Sequence, residues 1–118
     1  MIRFGIVGFG LHAVKRLMPG FVLSKQCTVT ALSRRELNKA RESAKQFNIP
    51  LAFDSAEQLC RSPQVDAVFV ATPNAQHVAD VLTALEQGKP VLCEKPMAVN
   101  AAECQKMVEA ARKAKLLL

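Results

Sequence analysis

Three groups of residues in this 118-residue chain could do chemistry together. The first is Gly8-Phe9-Gly10-Leu11-His12-Ala13, a G-x-G-x-x-G/A pattern directly after the apolar run Ile2 to Val7. Gly8 would permit a tight turn, Gly10 would leave room for a pyrophosphate, and Ala13 would sit where a helix meets a strand. Main-chain N–H groups near residues 9–12 would then point at phosphate oxygens at a helix N-terminus. An ordinary glycine turn shares the spacing, so the pattern acquires meaning only from its place between a strand and a helix.

The second group is Ser33-Arg34-Arg35, about 20 residues further on, where a site for NAD carries an acid that bonds the adenosine ribose. Glu36 falls too late, inside the following helix. A hydroxyl beside guanidinium groups would accept a 2′-phosphate through charge-assisted hydrogen bonds, which favours NADP over NAD. A solvated arginine pair at a helix start is the alternative. The third group is Glu94-Lys95. An ammonium at a strand's carboxyl end can stabilise an alkoxide or donate a proton as hydride arrives, although a surface ion pair would look the same in sequence.

The elements that must position these groups follow from periodicity. Short apolar strands alternate with amphipathic helical stretches, as in a parallel sheet with crossover helices. Strands are expected at residues 2–7, 27–32, 51–53, 66–71 and 90–93, and Leu116 to Leu118 read as the first half of a sixth. The first helix carries Leu11, Val14, Leu17, Met18 and Phe21 and is expected to end early, at Pro19-Gly20. Leu37, Ala40, Ala44 and Phe47 mark the second, stopped at residues 48–50. Asp54 or Ser55 caps the third, Val78, Val81, Leu82 and Leu85 stripe the fourth before Gly88, and Asn100 caps the last. The predicted fold is α/β, a doubly wound, mostly parallel sheet of order 3-2-1-4-5-6 with the sixth strand truncated. Ligands of such sheets bind at the carboxyl ends of the strands, in the loops after Val7, Leu32, Ala71 and Cys93.

Composition narrows the class. Half the residues are hydrophobic, as in a single globular domain spanning residues 1–118. No run approaches the roughly 18 apolar residues of a membrane span, and an opening strand leaves no room for a signal peptide, so a cytoplasmic home is expected. Cys27, Cys60, Cys93 and Cys104 lack metal-ligand spacing and read as small buried hydrophobes in a reducing compartment. The net charge of +6 invites a nucleic-acid partner. The basic residues are nevertheless spread along the chain without a recognised motif, and solvated helix faces plus a phosphate pocket account for the charge.

Two further segments carry a family resemblance. Val65 to His77 contains Ala71-Thr72-Pro73-Asn74-Ala75-Gln76-His77, and Gly88-Lys89-Pro90-Val91-Leu92-Cys93-Glu94-Lys95-Pro96 follows. With the glycine pattern, these closely resemble the N-terminal NAD(P)-binding Rossmann domain of the Gfo/Idh/MocA oxidoreductases, typified by glucose–fructose oxidoreductase and inositol dehydrogenase. The likeness covers essentially the whole chain. Ala13 in place of the third glycine is common in that family, and Ser33-Arg34 resembles its NADP-preferring variant. The resemblance implies that Ala71, Thr72, Pro73 and Asn74 line the cofactor's path towards the nicotinamide ribose, with His77 beside it. A histidine packed against its own loop is the other reading of His77. Glu94 would approach the ribose and nicotinamide, and Lys95, often followed by a cis peptide bond, would meet the substrate oxygen. His12 is treated as incidental.

Members of that family continue into an α/β domain with the substrate pocket, a further His or Asp and most of the subunit interface, none of which is in this sequence. The implied whole protein is a homo-oligomeric oxidoreductase moving hydride between nicotinamide and a sugar- or polyol-like alcohol or carbonyl. This portion alone would bind cofactor with little turnover, and its terminal leucines, lacking their cover, would favour self-association. A non-catalytic nucleotide-binding or regulatory module remains the alternative, since it shares the glycine pattern.

Overall fold

A computed structural model describes residues 1–118. Five parallel strands, β1 (Ile2–Val7), β2 (Cys27–Ser33), β3 (Leu51–Phe53), β4 (Ala67–Val70) and β5 (Val91–Cys93), form one sheet in the order β3-β2-β1-β4-β5. Crossover helices cover both faces. On one lie α1 (Met18–Leu23) and α2 (Leu37–Phe47); on the other, α3 (Ala56–Arg61), α4 (His77–Glu86) and α5 (Ala101–Ala114). The strand order reverses beside β1, which opens a crevice at the carboxyl ends of β1 and β4.

Alternation along the central strands builds two cores. Ile6 and Phe69 face α1 and α2, whereas Val7, Val68 and Val70 face α3 to α5. Pairing of β1 with β2 slips between Phe4 and Gly5, leaving Thr30 as an extra residue on β2. The bulge returns Val29 and Leu32 to one face and Ala31 to the other. Each fully buried Val or Leu side chain contributes about 1.5–3 kcal/mol, so these central strands dominate the fold's stability.

Helix boundaries follow local chemistry. Asn48 ends α2 in the left-handed conformation at φ 54°, with its N–H on the Ala44 and Lys45 carbonyls. Of the two cap candidates before α3, Ser55 performs the task, its Oγ accepting the Gln58 N–H. Asn100 caps α5 through the Glu103 N–H at 2.9 Å.

Three expectations need correction. The first helix does not stop at Pro19-Gly20 but continues to Leu23. Residues Ala13–Leu17 coil as a wider π-helical turn, and the Met18 N–H bonds to the Ala13 carbonyl. Pro19 thereby falls in the first turn of a new α-helical segment, where a missing N–H costs nothing. No sixth strand forms, although the Val91 N–H donates to the Leu117 carbonyl at 3.0 Å along the open edge of β5. Of the four free thiols only Cys60 is buried, and burial pushes it up to about 12; Cys27, Cys93 and Cys104 are half-buried. No helix is long and apolar enough to cross a membrane.

Candidate cofactor site

The turn after β1 is drawn tight against the end of β4. Gly8 sits at φ +81°, and a Cβ added to it would lie 2.7 Å from Thr72 Cγ2 and 2.8 Å from the Thr72 nitrogen. Both conditions demand glycine. A Cβ on Gly10, by contrast, would meet nothing within 4 Å, so the space in front of it is open.

Not all the amides of this turn are available to a ligand. The Phe9 N–H donates to the Ser33 carbonyl and the Gly10 N–H to the Gly8 carbonyl, at 2.9 and 2.8 Å. Those of Leu11 and His12 have no partner in the chain and stand at a helix start. An anion placed there meets unpaired N–H groups and the positive end of the helix dipole. The Phe9 side chain is buried against Phe47, ring centroids 5.5 Å apart, at the wall of the crevice. Leu11 is exposed at the rim.

An open cleft of about 490 Å³ runs from these amides to the end of β2. Gly8 to His12 form one wall, Arg34, Arg35, Glu36 and Lys39 the far end, and Ala71 to Pro73 the opposite side. Arg34 continues the β2–β3 ladder by donating its N–H to Phe53, and its Nη1 donates to Ser43 Oγ at 3.1 Å. That bond fixes the guanidinium against α2. Arg35 borders the cleft with no side-chain bond of its own. Ser33 is buried and borders an adjoining cavity of about 350 Å³ together with Arg34, Arg35, Asp54 and Asp80. Lys39, which sequence reasoning missed, also lines this end, its ammonium donating to Glu36 Oε1 at 2.8 Å. Glu36, expected inside the helix, instead precedes it as the N-cap residue of α2, and the exposed Lys39 three residues on was the available signal.

A smaller cavity of about 200 Å³ lies at the other end of the crevice, lined by His12, Ala71, Thr72, Asn74, His77, Glu94 and Lys95. Asn74 opens a short 3₁₀ turn that leads into α4 and is exposed. His77 is 1% exposed: Nδ1 lies 2.9 Å from the Pro96 carbonyl and Nε2 2.8 Å from the Thr72 carbonyl. The ring therefore clamps the β4–α4 loop to the loop after β5, donating to one carbonyl when neutral and to both when protonated. Thr72 Oγ1 donates to Asp80 at 2.6 Å. Burial lifts the Asp80 carboxyl above its ordinary value, and the Thr72 hydroxyl offsets part of that rise.

Glu94 is held on both sides. His12 Nε2 lies 2.7 Å from Oε1, and the Lys95 N–H donates to Oε2 at 2.9 Å. The His12 bond is the main reason the Glu94 carboxyl is held below its ordinary value. His12 is thus no incidental residue. Lys95 precedes a cis peptide bond to Pro96 and is exposed beside the small cavity.

Two unpartnered amides at a helix start, a cationic far end and a polar cavity across a switch point are the marks of a dinucleotide-binding domain of Rossmann type. The comparisons with known proteins agree. Residues 2–118 match the family model described as an oxidoreductase family, NAD-binding Rossmann fold (GFO_IDH_MocA), and the chain belongs to that family. A trans-1,2-dihydrobenzene-1,2-diol dehydrogenase of Mus musculus is 46% identical over 116 residues, covering 94% of this chain and 34% of the relative. KijD10, a 3-ketoreductase from Actinomadura kijaniata solved with NADP and TDP-benzene, superposes with a TM-score of 0.93 at 30% identity. That match covers 99% of this chain and 36% of the other. An aldose-aldose oxidoreductase from Caulobacter crescentus matches at TM-score 0.88 and 32% identity, over 98% of this chain and 36% of that one. The chain spans about a third of the length of the relatives it matches.

Proposed function

We propose that residues 1–118 bind NADP in preference to NAD, as the cofactor domain of an oxidoreductase that acts on a sugar- or polyol-like secondary alcohol or carbonyl. The observation that carries this reading is the single open cleft with the free Leu11 and His12 amides at one end and Arg34, Arg35 and Lys39 at the other. A diphosphate fits the amides, and a 2′-phosphate fits the cations, while Ser33 is buried and borders the adjoining cavity instead. The open space before Gly10 accommodates the backbone's close approach. The nicotinamide, when bound, supplies the hydride chemistry.

The chain's own residues do the rest. Gly8 and Thr72 set the depth of the crevice floor, Ala71 to Asn74 line the way to the small cavity, and His77 holds its two loops in register. Glu94 borders the nicotinamide end, and Lys95 Nζ delivers or receives the proton at the substrate oxygen. A module that merely senses nucleotide would need the cleft but has no use for Glu94 and Lys95.

The same reading gives a cytoplasmic protein, in keeping with four unpaired thiols, and a homo-oligomer without nucleic-acid or membrane partners. Exposed Leu92 and Leu117 at the β5 edge favour association. Calorimetric titration of the chain with NADP and NAD tests the core of the proposal. NADP is expected to bind at least about tenfold more tightly, a difference near 1.4 kcal/mol. Equal affinities would remove the 2′-phosphate assignment, and no heat with either would remove the function.

A further inference from the structure

His12 and Glu94 are 82 residues apart in sequence, yet their side chains meet across the crevice. An ionised carboxylate only accepts hydrogen bonds, so His12 Nε2 donates to Oε1. The other oxygen, Oε2, receives the Lys95 N–H. Glu94 thus links the helix start after the glycine turn to the backbone at the root of the Lys95 side chain. The neighbouring amide is fixed differently: the Glu94 N–H donates to the Val70 carbonyl at 3.0 Å and extends the sheet ladder. Order imposed by the sheet therefore ends at residue 94, and the Lys95 N–H depends on a side chain.

That side chain has several rotatable bonds and stands partly in water, 23% exposed. Bound at Oε2 alone it would exchange this contact for solvent at small cost. Bound at both oxygens it has one arrangement, and the cap on Lys95 is kept. We propose that His12 is a positioning residue: through Glu94 it fixes the backbone of Lys95 and with it the point from which the Lys95 side chain leaves beside the small cavity. The functional half of this inference rests on the proposed role of Lys95, whereas the geometric half stands without it. His12 is itself half exposed and buries nothing, so its replacement leaves the core intact.

Amide hydrogen exchange on the ¹⁵N-labelled chain tests the geometry. His12→Ala is expected to speed exchange of the Lys95 N–H at least about fivefold, with the Glu94 N–H unchanged. His12→Gln, whose amide can still donate to Oε1, should restore the Lys95 rate. Unchanged Lys95 exchange in His12→Ala, equal acceleration at Glu94, or no rescue by glutamine would each overturn the inference. Titrations with NADPH and with 2′-phospho-ADP-ribose read the function separately. His12→Ala should weaken NADPH several-fold and leave the fragment without nicotinamide unaffected; equal losses would overturn the positioning role. If the unaltered chain binds neither, it is the cofactor proposal that fails, while the exchange rates still decide the geometry.

Discussion

Gly8 and Thr72 touch so closely that the turn after β1 has no room for even a methyl group, the nearest approach to a built Cβ being 2.7 Å. The neighbour includes backbone atoms of Thr72, so relaxation must move the end of β4 itself. Gly8→Ala is therefore expected to destabilise the chain by about 2–4 kcal/mol, combining the positive φ with the clash. Urea unfolding measures it; a loss under about 0.5 kcal/mol would contradict the contact.

Gly10→Ala separates folding from binding. Its Cβ meets nothing in the chain but projects where the diphosphate is placed. The unfolding midpoint should stay within about 0.5 kcal/mol of the original, while NADP affinity falls at least about tenfold. Unchanged affinity would show that the ligand does not pass this point.

Arg34→Ala should reduce NADP affinity by about 10- to 100-fold, the range of a charge-assisted hydrogen bond of roughly 1.5–3 kcal/mol, and alter NAD binding little. Ser43→Ala should give a smaller loss of the same selectivity, because Ser43 only holds the guanidinium in place. Parallel titrations check both, and equal losses for the two cofactors would count against the assignment.

Asp80 gives a pH dependence with a definite sign. Burial raises its carboxyl above the ordinary 3.8, so the folded state favours the protonated form. Stability conferred by the protonated group is complete below about pH 4 and is lost as pH rises through the raised value. Asp80→Asn keeps an acceptor for the Thr72 hydroxyl and removes the charge. It should raise the unfolding midpoint at pH 7 and leave it nearly unchanged at pH 3.5; the same gain at both values would exclude ionisation as the cause.

Much of this architecture was legible in the chain itself. The limits of β3 and α2, the Ser55 and Asn100 caps and the buried run of β4 all follow from short-range patterns that do not depend on partners. Pro19 misled for a local reason: a proline stops a regular α-helix, but the π-helical turn before it shifts the proline into a first turn. Phe9 lay within the right motif, yet its amide is consumed by Ser33 and its ring by Phe47. The unpaired donors are one and two places beyond Gly10, in Leu11 and His12.

Residue types and spacing determined by themselves the strand–turn–helix that carries Gly8 and Gly10, the doubly wound class and the cationic end at Arg34 and Arg35. These depend on φ preferences, periodicity and charge, which act over a few residues. Only the tertiary structure decided that His12 holds Glu94, that His77 clamps two loops from within, and that Thr72 presses on Gly8. Apart from the His77–Thr72 bond, which spans five residues, those contacts join segments brought together by parallel crossovers, and a side chain's partner across such a crossover leaves no periodic trace along the chain.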